Sequence, residues 1–480
     1  MRAKALIALA AAGFLAAACS KTGDLLPNAL PDTFLAIDTI VLSGENRLNS
    51  RVHLHWYGID PDGYVEAYEF SLDGGQIWAI TDRQDSVFRF SLPPGQDTND
   101  VVILIRAIDN LGERDQSPAR LSIPIKNTPP QASFEEKSLP QDTVRIVSTF
   151  RWNFEDRDGN ETVNKAYLKA NNGPWLEIDR SQFLVSLVIN TQVPSGVANA
   201  EVYYGTNTQP SATLEGLLAE DLNTLYIKVQ DLAGAESLAD TSNAFYIKQK
   251  TSDLLVVGGQ PASVKEVYLG LLNDAGLQYD LEDYRVNNAA NAPKFWNPTF
   301  RLLVRQYSKM FVYSDPSTLP PNPVTGEEEA LLSLAAPAVQ QFTDLGGKSF
   351  TTTSFTPNAD ITTLIGAFPI DGLVVSPGQA RVLPDSGLFS IDAARYPDVF
   401  PSTIDIGVDP FIRSADAENF YRGRLTKLSG WNGDNLVAAL RRRNGNVNQV
   451  FFSIELHKYA QNRNALLQLF DQVFNDDFNW

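Results

Sequence analysis

His55-Trp56-Tyr57-Gly58-Ile59-Asp60-Pro61-Asp62-Gly63 returns without a gap as Arg151-Trp152-Asn153-Phe154-Glu155-Asp156-Arg157-Asp158-Gly159, the two stretches sharing W-x-x-x-D-x-D-G. A second tryptophan follows each, Trp78 and Trp175. A late match closes both copies, Ala107-Ile108-Asp109-Asn110-Leu111-Gly112 against Val229-Gln230-Asp231-Leu232-Ala233-Gly234. Around these anchors large residues alternate, Val52, Leu54 and Trp56 in one copy and Phe150, Trp152 and Phe154 in the other. That is the period of a strand with one buried face. Ser71-Leu72-Asp73-Gly74-Gly75 reads as a hairpin turn. Each copy is about 100 residues long, and two packed antiparallel sheets bury such faces. The repeat therefore predicts two all-β sandwiches, residues 34–126 and 127–249.

The copies differ in one interval. From first tryptophan to late aspartate the chain runs Trp56 to Asp109 in the first and the longer Trp152 to Asp231 in the second. The surplus falls near residues 190–213, a polar stretch containing Tyr203 and Tyr204. An insertion of this kind is either a binding loop, with those tyrosines as partner-binding candidates, or a passive excursion.

After Lys250 the period changes to 3.6. Leu254 to Val257 is a short apolar strand running into Gly258-Gly259. Val264, Val267, Tyr268, Leu271, Leu272 and Ala275 then fall at helical spacing, closed by Gly276. The glycine pair is either a tight turn or an anion seat on helix-terminal amides. The alternation continues with a strand at Met310–Tyr313, a helix from Glu327 broken at Pro337 and ended by Leu345-Gly346-Gly347, and a strand at Ser349–Phe355. A last strand, Val450–Leu456, precedes a helix with Leu466, Leu467, Phe470, Val473 and Phe474 on one face. Such crossovers build a parallel sheet covered by helices, so residues 250–480 are predicted to form an α/β three-layer domain. Residues 356–449 interrupt it with aromatic, proline-rich sequence. Tyr396, Phe400, Phe420, Tyr421 and Trp431 there either roof a crevice, making Tyr396 and Phe400 partner-binding candidates, or form a small core of their own.

The chain has 480 residues, 43% of them hydrophobic, and a formal charge of −18. No basic stripe exists to release counterions, which excludes a nucleic-acid partner; Arg441 to Arg443 is too short to act as one. Cys19 is the single cysteine, so no intrachain disulfide is possible. Before it stand a basic start, Arg2 and Lys4, an apolar run from Ala5 to Ala17, and small residues Ala16, Ala17 and Ala18. This stretch resembles a bacterial lipoprotein signal; the other reading is an ordinary secretory signal ending near a cysteine. The resemblance implies cleavage after residue 18, acylation of Cys19 (diacylglycerol and palmitate-type chains) and a permanent membrane anchor. Ser20 in place of Asp then points to the outer membrane of the cell envelope. Loss of Arg2 and Lys4 would take the charge to −20. Residues 19–33 read as a tether.

Two further resemblances follow from residues already quoted. The core tryptophans with a late Asp-x-x-Gly turn resemble tandem fibronectin type III or immunoglobulin-like domains. The element order after residue 250 resembles the flavodoxin-like domain of class I glutamine amidotransferases and their non-catalytic relatives. In that family a Gly-Lys strand leads to a nucleophilic cysteine and a late strand delivers a His followed two residues later by Glu. Here Gly347-Lys348-Ser349-Phe350-Thr351-Thr352-Thr353-Ser354 puts Ser354 at the nucleophile's place, and Phe451-Phe452-Ser453-Ile454-Glu455-Leu456-His457-Lys458-Tyr459 puts His457 in register with Tyr459 where the acid would be. With no cysteine other than Cys19, which the lipoprotein resemblance acylates, thioester chemistry is impossible. Ser354 and His457 are the candidates for a serine hydrolase.

Asp60, Asp62 and Asp109, and likewise Asp156, Asp158 and Asp231, are hard oxygen donors gathered at one pole of each sandwich. They would suit calcium, although Asp and Gly are equally what tight turns require. No cofactor is otherwise expected. The sequence thus leads to a non-catalytic, lipid-anchored envelope protein that binds a protein or glycan partner. The alternative is an envelope serine hydrolase acting on glycans or esters through Ser354 and His457.

Overall fold

A computed structural model describes residues 27–37, 42–44, 47–90, 92–93, 95–285, 292–317, 319, 326–356, 359–374, 380–427 and 435–480. Cys19, the signal segment, most of the tether and Trp431 lie outside them. The chain forms two compact units. One is built on the residues up to Pro130 together with Asp156–Val163 and Asp231–Ala235; the other comprises Gln131–Glu155, Asn164–Gln230 and Glu236–Trp480.

The first unit is a β sandwich. Strands Asp32–Ile37, Arg51–Ile59 and Asp85–Arg89 make an antiparallel three-stranded sheet. A six-stranded sheet contains Ala119–Lys126, Thr98–Asp109 and Val65–Ser71 as its central run. The alternation read in Val52, Leu54 and Trp56 is the inward face, with Trp56 only 1% exposed and packed among Tyr68, Phe88, Ile105 and Ile123. Asp73 holds the hairpin turn by accepting the amides of Gln76 and Ile77.

In the second unit, Val147–Glu155 takes the same place and buries Phe150 and Trp152. Its sheet runs Gln131–Phe134, Val147–Glu155, Leu184–Ile189, Gly196–Tyr204, Ala212–Ala219. The last two strands are the expected insertion. It is an antiparallel hairpin added to the sheet, with a register shift between Ala198 and Ala200, because Ala198, Ala200 and Val202 alternate inward, and Leu214 and Leu217 bury beside them. The second tryptophans match as well. Arg106 stacks 4.0 Å from the Trp78 ring, and Lys228 lies 4.8 Å from that of Trp175.

The same unit continues into a mixed eight-stranded sheet. Its elements are β1 Leu254–Gly259, α1 Ala262–Asp274, β2 Asp280–Asp283, β3 Lys309–Ser314, α2 Leu331–Asp344, β4 Lys348–Thr352, β5 Leu388–Ser390, β6 Ala417–Gly423, β7 Leu436–Arg443, β8 Asn446–Phe452 and α3 Arg463–Asp471. The strand order is β2-β1-β3-β4-β8-β7-β6-β5, of which β2-β1-β3-β4-β8 are mutually parallel. By rank along the chain the parallel strands stand 2-1-3-4-5, a doubly wound order. Leu254, Val256, Phe311, Phe350 and Phe452 pack on one face against Tyr268 and Leu272 of α1 and Leu466, Leu469 and Phe470 of α3.

Three expectations change here. The second helix starts at Leu331 and is not broken at Pro337, which sits inside it. A proline there forfeits one backbone bond and crowds the preceding turn, and burial of Leu331, Leu332, Ala335, Val339 and Phe342 offsets that. The last parallel strand ends at Phe452, and His457 lies on the following short 3-10 turn, Leu456–Tyr459. Residues 356–449 are no separate roof, because β5, β6 and β7 extend the sheet in antiparallel pairing and carry Phe420 and Tyr421 into the main core. Gly258 is explained by close packing: a Cβ there would lie 2.5 Å from the Tyr313 hydroxyl oxygen.

Candidate functional site

In a doubly wound sheet ligands bind beyond the carboxyl ends of the strands. Here β4 and β8 pair in parallel and end side by side at Thr352 and Phe452. The Thr352 hydroxyl donates to the Ile454 carbonyl (2.6 Å) and accepts the Leu456 amide (3.1 Å), which pins the segment after β8 over the end of β4. Ser354 follows two residues later and donates to Glu455 Oε1 at 2.6 Å. His457 Nε2 stands 3.7 Å from Glu455 Oε2, and Lys458 Nζ 3.4 Å from Oε1. Lys458 also pairs with Asp405 at 3.1 Å, and the Tyr459 hydroxyl donates to the same carboxylate.

The expected serine–histidine pair is therefore not formed. Among the described residues no hydrogen bond joins Ser354 to His457; Glu455 lies between them. A hydroxyl becomes a nucleophile when an imidazole takes its proton and a carboxylate orients that imidazole. Here the order is hydroxyl, carboxylate, imidazole, and the carboxylate facing Ser354 is shared with Lys458. The His457 ring is held edge-on to Tyr268 at 5.8 Å, its backbone amide donates to the Tyr268 hydroxyl, and its buried Nδ1 has no hydrogen-bond partner among the described residues. Burial pushes the His457 pKa below the ordinary histidine value, against the pull of Glu455. Glu455 itself carried no signal in the sequence, since it stands two residues before the histidine instead of after it.

Beside Ser354 opens a cleft of about 330 Å³ lined by Asp315, Glu329, Ser333, Thr353, Ser354 and Asp360 among others. Its hydroxyls and carboxylates are hydrogen-bonding groups for a polar ligand. Arg285 reaches Asp315 at 3.1 Å.

The aspartates of the two D-x-D-G motifs have a shared task. Asn28 Nδ2 donates to Asp109 (2.5 Å) and the Ala29 amide to Asp62 (3.0 Å). One repeat later, Asn127 Nδ2 donates to Asp231 (2.5 Å) and the Thr128 amide to Asp158 (2.6 Å). Each motif latches the segment that leads into its own sandwich. Asp109 Oδ1 also accepts the amides of Leu111 and Glu113, and Asp231 Oδ1 that of Ala235, closing the late turns. Although burial opposes it, these donors and Asn28 hold the Asp109 carboxyl below its ordinary value. Burial raises that of Asp156. Among the described residues Asp60 Oδ2 has no hydrogen-bond partner. Among the described residues no group of three or more His, Cys, Asp or Glu side chains is arranged to hold a metal ion.

The aromatic candidates are mostly interior. Tyr203 is 5% exposed and donates to Glu201, with burial and that carboxylate pushing its pKa up to about 12. Tyr204 is half-buried and accepts the Asp179 amide. Tyr396 is 3% exposed, edge-on to Phe420 at 4.7 Å, and donates to Asp477. Phe400 is half-buried, 6.0 Å from Phe389. Tyr203 and Tyr396 thus present almost no surface to a partner. The turn of the inserted hairpin is also engaged: Arg301 donates to the carbonyls of Thr206 and Asn207, and Arg305 to that of Thr208. A buried ion cluster reinforces this junction. Arg145 lies 2.6 Å from Glu282 and 3.2 Å from Asp280, and Tyr307 donates to Asp280.

No family model and no curated protein matches the chain. Among solved structures, it is similar to the PKD1 domain of Vibrio anguillarum Epp (14% identity, 21% of this chain and 99% of that one, TM-score 0.16). It is also similar to fibronectin(III)-like modules of Clostridium thermocellum CbhA (14%, 45% and 95%, TM-score 0.17) and to a GMP synthase-type protein of Thermoplasma acidophilum (6%, 48% and 99%, TM-score 0.28). At these scores the likenesses carry no functional argument, and the site is read from its own residues.

Proposed function

We propose that the protein is a non-catalytic, lipid-anchored cell-envelope protein, held by an acylated Cys19, whose folded part binds a glycan or protein partner. The observation that carries the binding reading is the order of groups beside the cleft. Glu455 stands between Ser354 and His457, so at the place where the amidotransferase-like domain would keep its nucleophile the hydroxyl is held by a carboxylate and not by the imidazole. What this edge of the sheet retains is a polar cleft of about 330 Å³, within the size range of ligand pockets. The sandwiches serve as spacers from the membrane, and their lead-in segments are latched at Asn28 and Asn127.

Two measurements test the reading. Capture from cross-linked envelopes with full-length protein is expected to recover a specific glycan or protein partner. Incubation of the purified full chain with ester and oligosaccharide substrates is expected to give no turnover dependent on Ser354. Hydrolysis that vanishes in Ser354→Ala would overturn the non-catalytic reading.

A further inference from the structure

The inserted hairpin that distinguishes the second sandwich from the first does more than brace the junction. Its strands place Glu201 between Val188 and Thr213 in one cross-strand row, and Asn199 beside Asn190 two residues along. Because side chains two apart share a face, Asn190, Asn199, Glu201 and Thr213 all project from the outer surface of the five-stranded sheet, where all four are exposed. Gln306, next to the Arg305 that holds the hairpin turn, closes one side. The result is a groove of about 390 Å³.

We propose that this groove is a saccharide-binding site for a neutral glycan. The proposal deepens the glycan half of the reading above and rests on it. The lining chemistry selects the ligand. Three primary amides and a carboxylate offer planar, paired hydrogen-bonding groups of the kind that engage vicinal hydroxyls, and Thr191 and Thr213 add hydroxyls. Val188, opposite Glu201 in the same row, supplies an aliphatic floor for the C–H face of a sugar ring. Glu201 is the single ionisable group of the lining, which disfavours anionic glycans and provides no clamp for phosphate or carboxylate. The Glu201 carboxylate is set in place by the Tyr203 hydroxyl at 2.5 Å, and Tyr203 is itself buried, so the one charged group enters the groove already oriented. The first sandwich has no counterpart, since it lacks both strands.

The test uses the full chain and titration calorimetry with two neutral probes, the β-1,4-linked tetrasaccharides of glucose and of N-acetylglucosamine. Binding of at least one probe is expected, weakened about tenfold or more by Glu201→Gln and abolished by Thr213→Trp, which fills the groove from an exposed strand position. Circular dichroism and the unfolding midpoint check that each variant is folded, and Asn199→Ala, on another exposed position, replaces any that is not. Binding indifferent to all groove variants, or absent for both probes, overturns the proposal. Binding that falls in Ser354→Ala and not in the groove variants places the glycan in the cleft, which overturns the groove and preserves the proposed function.

Discussion

Replacing Arg145 by Met should uncouple the second sandwich from the sheet that follows it. The guanidinium is 9% exposed and donates to Glu282 (2.6 Å), to the Gln249 carbonyl (3.1 Å) and to the Leu281 carbonyl (3.3 Å), besides pairing with Asp280. Methionine fills similar space without charge. Asp280 would keep its donors Thr251 and Tyr307, whereas Glu282 would lose its ion-pair partner. Removing one member of a buried pair costs about 3–5 kcal/mol, and the retained donors on Asp280 argue for the lower end, about 3 kcal/mol. Burial already raises the Glu282 pKa and Arg145 pulls it down; without Arg145 it rises further. A carboxyl with a raised folded-state pKa destabilises above that pKa, and the penalty fades as pH falls through it toward the ordinary carboxylate value. The loss in Arg145→Met should therefore be full at pH 8 and smaller at pH 5. The double variant Arg145→Met/Glu282→Gln should recover most of it. Urea unfolding followed by tryptophan fluorescence at both pH values measures this. A loss below about 1 kcal/mol at pH 8, or a double variant no better than the single, would refute the reasoning.

Four further outcomes are expected. Cys19→Ala should move the protein from the membrane to a soluble fraction; membrane retention in high salt would count against lipidation. Tyr396→Ala should cost about 3–5 kcal/mol of stability, since a buried aromatic and the partner of Asp477 are lost; an unchanged melting curve with lost partner capture would restore Tyr396 as a contact residue. Because burial lowers the His457 pKa, the unfolded chain binds the proton more readily, so stability should fall as pH drops below the unfolded value of about 6.5, and His457→Gln should flatten that fall in a pH series of urea midpoints. Asn127→Ala leaves the buried Asp231 carboxylate short of a donor and should cost about 1–3 kcal/mol, with faster amide exchange at Thr128; exchange identical to wild type would show that the latch carries no strain.

Local pattern carried much of the architecture. The repeated W-x-x-x-D-x-D-G, the alternation through Trp56 and Trp152, and the strand–glycine–helix run at Leu254–Gly276 were legible because alternation and 3.6-residue spacing are properties of neighbouring residues. Strands Ala417–Gly423 and Leu436–Arg443 were missed, since their role is set by pairing, the second with β8 and the first with the second, and not by their own period. Composition likewise marked Cys19 as the one thiol. Only the tertiary structure decided what the candidate residues do. Ser354 meets Glu455 across 101 positions of sequence, a contact that depends on β4 and β8 being parallel neighbours. Tyr203 and Tyr396 read as partner-binding candidates until tertiary packing covered them. The paired latches at Asn28 and Asn127 appear only when each lead-in segment returns to the pole of its sandwich, where chain-distant aspartates become its acceptors. A sequence states which faces are apolar; which polar groups meet is fixed by topology, because a hydrogen bond needs both partners within about 3 Å.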